Sequence, residues 1–135
     1  MSDDVAADKD AIQQIIELAY EALAFDPGSQ PDWVAFNASF YDRAVLALRV
    51  FPQDAEVQVF NLKEYAQAQL SKELKEQGYS ELPGESTIEV FGDVALVRQH
   101  FTMEFVERSV PAIDVFTLAR IDGTWRIVSV VSDIV

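Results

Sequence analysis

The chain contains no cysteine, which excludes both disulfide staples and thiolate chemistry. It has a single histidine, His100, too few nitrogen ligands for an ordinary zinc site, and no metal or cofactor is expected. Basic residues are scarce. Ten Lys and Arg stand against 23 Asp and Glu, for a net charge of −13. Such a surface repels phosphate backbones and anionic bilayers, so neither nucleic acid nor membrane is an expected partner. Apolar runs stop well short of the roughly 18–20 residues that a membrane span needs. The chain opens acidic, Met-Ser-Asp-Asp, where a signal peptide would open basic and then turn apolar, so the expected location is cytoplasmic.

What is present is a core. Half of the 135 residues are hydrophobic, and 1–135 is expected to be one domain. The stretch Ala112 to Val135 organises it. Two runs of β-branched and aromatic residues flank Asp122-Gly123, a two-residue loop suited to a type I′ turn. That loop sets a register: Arg120 faces Trp125, Leu118 faces Ile127, Phe116 faces Ser129 and Asp114 faces Val131. Opposed residues share a side of the sheet. The expected core face therefore carries Asp114, Phe116, Leu118, Trp125, Ile127, Ser129 and Val131, with Val128 and Val130 outside. Arg120 is expected over the Trp125 ring.

Upstream, residues 1–7 read as a polar tail. Asp8 or Asp10 caps a helix to about Phe25, with Ile12, Ile15, Ile16, Ala19 and Leu23 on one stripe and Tyr20 at its border. Asp26 to Gln30 is a break. Pro31 suits the first turn of a second helix carrying Trp33, Phe36 and Phe40 on one side. Ala44 to Phe51 is a strand, and 53–60 is a loop or a short strand. Asn61 and Glu64 form a capping-box pattern for a third helix to about Gln77, closed by Gly78. Pro83-Gly84 marks a turn. Gly92-Asp93 joins two further strands between Ser86 and Phe105, with Val90 facing Ala95, Ile88 facing Val97 and Ser86 facing Gln99. Gln99, Phe101, Met103 and Phe105 then look inward. Arg98 and His100 look outward, opposite Thr87 and Glu85. Helices segregated from a meander of strands imply α+β.

Phe40-Tyr41-Asp42-Arg43-Ala44-Val45-Leu46, Gly92-Asp93-Val94-Ala95-Leu96-Val97 and Asp122-Gly123-Thr124-Trp125-Arg126-Ile127-Val128, in this order, resemble the nuclear transport factor 2-like superfamily. That superfamily includes ketosteroid isomerase, scytalone dehydratase and the SnoaL-like cyclases, and the resemblance runs from about Asp8 to Val135. It implies a cone-shaped, strongly curved antiparallel sheet packed against about three helices, of the cystatin-like kind, with an open mouth. It also implies roles for particular residues. Tyr20 matches an oxyanion-stabilising tyrosine of the isomerases. Asp114 lies roughly where they hold a buried protonated acid. Leu48 stands where they place the general-base aspartate, and Ser129 and Val131 stand where many relatives carry histidine.

Two readings accompany each candidate. Tyr20 donates to a ligand carbonyl, or keeps its hydroxyl at the surface. Asp114 is an acid or donor at the cavity floor, or a strand-end aspartate binding a backbone N–H. Gln99 and Ser129 orient a ligand, or satisfy each other or a water. Trp33, Phe36, Phe40, Tyr65, Phe101, Met103 and Phe116 fill the core, or wall a ligand ring. His100 makes an outer ion pair or a dimer contact, and Asp133 is solvated. The expected function is binding of a small apolar, carbonyl-bearing molecule in the cone. Tyr20 and Asp114 would anchor it, and cofactor-free isomerase, cyclase or dehydratase chemistry could follow. The alternative is a non-catalytic binding or dimerisation module with a filled cone. A homodimer is expected through the outer sheet face around Leu96, Arg98 and Val128.

Overall fold

The computed structural model describes residues 2–135. Helix α1 spans Ser2–Leu23, α2 Trp33–Ala38, β1 Phe40–Leu48 and β2 Gln58–Phe60. Helices α3 (Leu62–Gln69) and α4 (Lys72–Gln77) follow, then β3 (Ser80–Phe91), β4 (Val94–Glu104), β5 (Ser109–Ile121) and β6 (Thr124–Ile134). One six-stranded curved sheet has the order β2-β1-β6-β5-β4-β3. The helices cover its inner face, where Ile12, Ile16, Leu46, Leu74, Val97, Leu118 and Ile127 are the most deeply buried side chains. None of the described helices is long and apolar enough to cross a membrane.

The two tight turns fall where the sequence places them. Asp122 and Gly123 both take positive φ, 51° and 78°, as a type I′ turn requires. Gly92 takes positive φ at the other hairpin, and Phe91 pairs with Val94. Arg120 faces Trp125, and its guanidinium carbon lies 4.8 Å from the ring centroid.

Beyond Leu118 the expected register of β5 and β6 fails. A bulge follows the Leu118–Ile127 pair, so that Thr117 opposes Ser129, Phe116 opposes Val130 and Asp114 opposes Ser132. One extra residue on β6 exchanges the two faces of everything after it. Val130 is therefore buried and Val131 is 52 % exposed, the reverse of expectation. Ser129 turns outward and shares a hydrogen bond with the Thr117 hydroxyl at 2.5 Å.

Other boundaries move for local reasons. Helix α1 begins at Ser2, so residues 2–7 are helical and Asp8 is no cap; Met1 lies outside the described residues. The Asp8 carboxylate instead binds Arg120 at 3.0 and 3.1 Å and the Trp125 indole N–H at 3.2 Å, which ties the early helix to the β5–β6 hairpin. Helix α2 is capped by Asp32, which accepts from the Ala35 N–H, so Pro31 precedes the cap and Phe40 opens β1. Strand β1 runs parallel to β6, which makes the sheet mixed rather than wholly antiparallel. The Asn61–Glu64 capping box forms, but the helix breaks at Leu70 and Ser71 into α3 and α4. Gly78 has a φ of 77° and lies so close to Phe25 O and Pro27 N that a Cβ there would sit 2.9 Å from each. Pro83-Gly84 is no turn. It lies at a bulge inside β3, an edge strand, where a missing N–H breaks no essential ladder bond.

Candidate functional site

A cavity of about 60 Å³ lies between the inner sheet face and the helices. As it stands it holds a few waters or one small organic group. Tyr20 of α1, Tyr65 and Gln69 of α3, Phe101 and Met103 of β4, and Phe116 of β5 contribute to its walls. Leu48, Arg49, Pro52 and Asp133 reach it from the side where β1 and β6 end. Arg49 and Asp133 form an ion pair at 2.6 Å there, and the Arg49 guanidinium holds the Asp133 carboxyl below its ordinary value.

Strand pairing places the polar floor. On the inner face Gln99 neighbours Asp114, and Asp114 neighbours Ser132, across β4, β5 and β6. The Tyr20 hydroxyl donates to Asp114 Oδ2 at 2.5 Å, and the Ser132 hydroxyl donates to Asp114 Oδ1. Glu81, opposite Met103 on β3, also lines the cavity and accepts from the Tyr79 hydroxyl at 2.5 Å. Two carboxyls thus face an apolar chamber. Burial pushes both above the ordinary carboxyl range. For Glu81 the negative charge of Asp114 adds to this, and the Tyr79 bond opposes it. For Asp114 the bonds from Ser132 and Tyr20 oppose it. Burial raises the Tyr20, Tyr65 and Tyr79 hydroxyls further, with help from the same carboxyls, so all three remain protonated donors.

The structure brings Tyr20, Asp114, Phe36, Phe40, Tyr65, Phe101 and Phe116 together around this cavity. Tyr20 is not free to meet a ligand carbonyl, because Asp114 already accepts from it. Three expected residues stand elsewhere. Ser129 is turned outward by the bulge. The Gln99 amide donates to Gly84 O at 3.0 Å and His100 O at 2.8 Å, bracing the β3 bulge beside it. Trp33 packs edge-on against Phe36 and Tyr65 from behind and lines an outer groove instead. His100 is exposed on the outer face opposite Ile113, and the β3 bulge removes Glu85 from its expected place beside it. Arg98, next to it on that face, pairs with Glu89 at 3.2 Å.

Sequence reading missed Glu81, Tyr79, Ser132 and the role of Gln69. The Tyr79-x-Glu81 alternation before Pro83 was the available signal for the first two, once β3 is extended back to Ser80. Among the described residues no three His, Asp or Glu side chains gather as a metal-binding set.

A curved sheet wrapped on helices around a polar-floored cavity defines the nuclear transport factor 2-like, cystatin-like fold. Solved structures agree. A nuclear transport factor 2-like protein of unknown function from Silicibacter pomeroyi is 20 % identical, with 97 % of this chain and 98 % of that one covered and a TM-score of 0.68. A protein of unknown function with a cystatin-like fold from Nostoc punctiforme is 18 % identical, covers 96 % and 92 %, and gives 0.72. A nuclear transport factor 2-like protein with a cystatin-like fold from Novosphingobium aromaticivorans is 18 % identical, covers 98 % and 84 %, and gives 0.71. None of the curated proteins matches the chain in sequence. Residues 8–131 match the family described as “Putative lumazine-binding”, and the chain belongs to that family.

Proposed function

We propose that the cavity binds a small, mostly apolar, neutral molecule carrying a carbonyl, and that the protein works as a cytoplasmic ligand-binding domain. The carrying observation is the carboxyl pair. Asp114 and Glu81 lie in one chamber and neither pairs with a cation, since the Arg49 that also lines it is held by Asp133. Buried carboxyls without a cation destabilise a fold, and such groups cluster where a ligand or a reaction needs them. The family description supplies one concrete probe, lumazine, a flat heterocycle with carbonyl acceptors. A ring of that size needs more room than the cavity of about 60 Å³ offers as it stands, so lining side chains move aside when it enters.

Thermal melting with lumazine and a panel of small cyclic ketones tests this. Saturating ligand raises Tm, because it binds the folded state alone. Ala112→Phe, which fills the cavity, should lose the shift. No shift with any compound, or an equal shift in the filled variant, would overturn the reading.

One observation favours turnover as a second reading. Asp114 accepts from two hydroxyls and Glu81 from one, so the pair is built unequal, the arrangement that sets a base beside an acid. Cofactor-free proton transfer next to a carbonyl would follow, with Asp114 rather than position 48 taking the proton. Protein-dependent exchange of deuterium from D₂O into 2-cyclohexen-1-one, lost in Asp114→Asn, is the expected result. Exchange at the buffer rate would end this reading.

A homodimer through the outer sheet face completes the proposal. Val45 and Val131 are exposed on that face, beside half-buried Leu96 and Val128. Light scattering should give twice the 15.1 kDa chain mass, and a monomer mass would contradict it.

A further inference from the structure

The cavity's polar side chains largely answer one another. Tyr20 and Ser132 donate to Asp114, and Tyr79 donates to Glu81. Gln69 does not fit that pattern. It is the last residue of α3, one turn beyond Tyr65, and stands in the cavity wall at 2 % exposure. Its Nε2 is buried and has no acceptor among the described residues. A buried amide donor without a partner weakens a fold, and a leucine or methionine would serve packing at that place without the penalty. The neighbouring wall is apolar or aromatic, with Phe36, Leu46 and Tyr65. The carboxyl pair narrows what can satisfy the amide. Arg49, the cation in the lining, is already held by Asp133, and an anionic ligand would be carried against Asp114 and Glu81, so the acceptor that reaches Gln69 is uncharged.

We propose that Gln69 is the specificity-determining donor of the cavity, taking the carbonyl oxygen or ring nitrogen of a neutral ligand. This rests on the reading of the cavity as a ligand site and adds the group that selects among ligands. It separates compounds of equal shape by whether they carry an acceptor. A matched pair of probes shows the effect: 2-cyclohexen-1-one and cyclohexene differ by one oxygen on rings of similar size.

The experiment is a titration of ¹⁵N-labelled full-length protein with each probe, followed by NMR. The ketone is expected to bind about tenfold more tightly than the alkene, the gain from satisfying a buried donor. The Gln69 side-chain NH₂ signals should move with the ketone and stay in place with the alkene. In Gln69→Met the two probes should bind alike. If that variant fails to fold, the side-chain signals of the parent protein still decide. Equal binding of both probes to the parent, unmoved Gln69 signals, or a preference that survives in Gln69→Met would overturn the role of Gln69 and leave the ligand site standing. No binding of either probe, or of lumazine, would overturn the site and this inference together.

Discussion

The two ends of the inner sheet face treat charge in opposite ways. At the hairpin end, Arg120 stacks on Trp125 and binds Asp8 and Asp93, so each carboxylate meets a cation near water. At the cavity end, buried Asp114 and half-buried Glu81 meet only hydroxyls. The first arrangement holds α1 to the hairpins and is a structural device. The second works against folding and is sensible only where something else gains from it. Deep substitutions at the hairpin end should therefore cost stability, and those at the cavity end should alter binding and pH response.

The largest expected effect lies at the hairpin end. Trp125 is buried, and its indole N–H donates to Asp8. Trp125→Ala should lower unfolding free energy by about 3–5 kcal/mol, as large-to-small core changes do. Urea denaturation measures it. A loss as small as that of a surface substitution would break the contrast between the two ends. The next effect is at the cavity floor. Ser132→Ala leaves Asp114 Oδ1 without its donor, at a cost of about 1–3 kcal/mol by the same measurement. Ligand affinity should change with it, whereas at the hairpin end it should not.

The two ends should also titrate with opposite sign. Glu81 and Asp114 are raised, so between the unfolded carboxyl values and the folded ones the native state holds more protons than the unfolded state. Stability from the cavity end therefore falls as pH rises through that window. Asp8 is lowered, first by its bond to Arg120, so its contribution is present above the unfolded value and is lost as pH falls through the folded one. Glu81→Gln should flatten the neutral-side decline and leave the acid limb intact. Asp8→Asn should do the reverse. Denaturant midpoints measured across pH 3 to about 9 separate them, and a common slope change in both variants would erase the distinction.

The sequence carried the hairpin end almost completely. Asp122-Gly123 and Gly92-Asp93 are chemical signals for tight turns, and side-chain period 2 propagates register from each turn for as long as pairing stays regular. Asp114, Phe101 and Phe116 were placed inside by that arithmetic alone. It failed at the bulges, because an extra residue after Ile127 or near Pro83 leaves no local mark in composition. Ser132 and Glu81 were hidden for that reason. Gln69 was hidden for another: the helical pattern puts it on one stripe with Leu62, Tyr65 and Leu74, but nothing in that pattern shows that its amide lacks a partner.

The smallest expected effect tests what the bulge does to the two faces of β6. With regular pairing, Ser129 would occupy the floor beside Phe116, and removing its hydroxyl would disturb the cavity. With the bulge, Ser129 faces outward and touches only Thr117 Oγ1 among hydroxyl partners. Ser129→Ala should then cost about 1 kcal/mol or less, the worth of one half-exposed hydrogen bond, and leave probe affinity unchanged. Ser132→Ala, three positions along the same strand, should change both. A reversed result, with position 129 controlling binding and position 132 silent, would restore the regular register and remove Ser132 from the site.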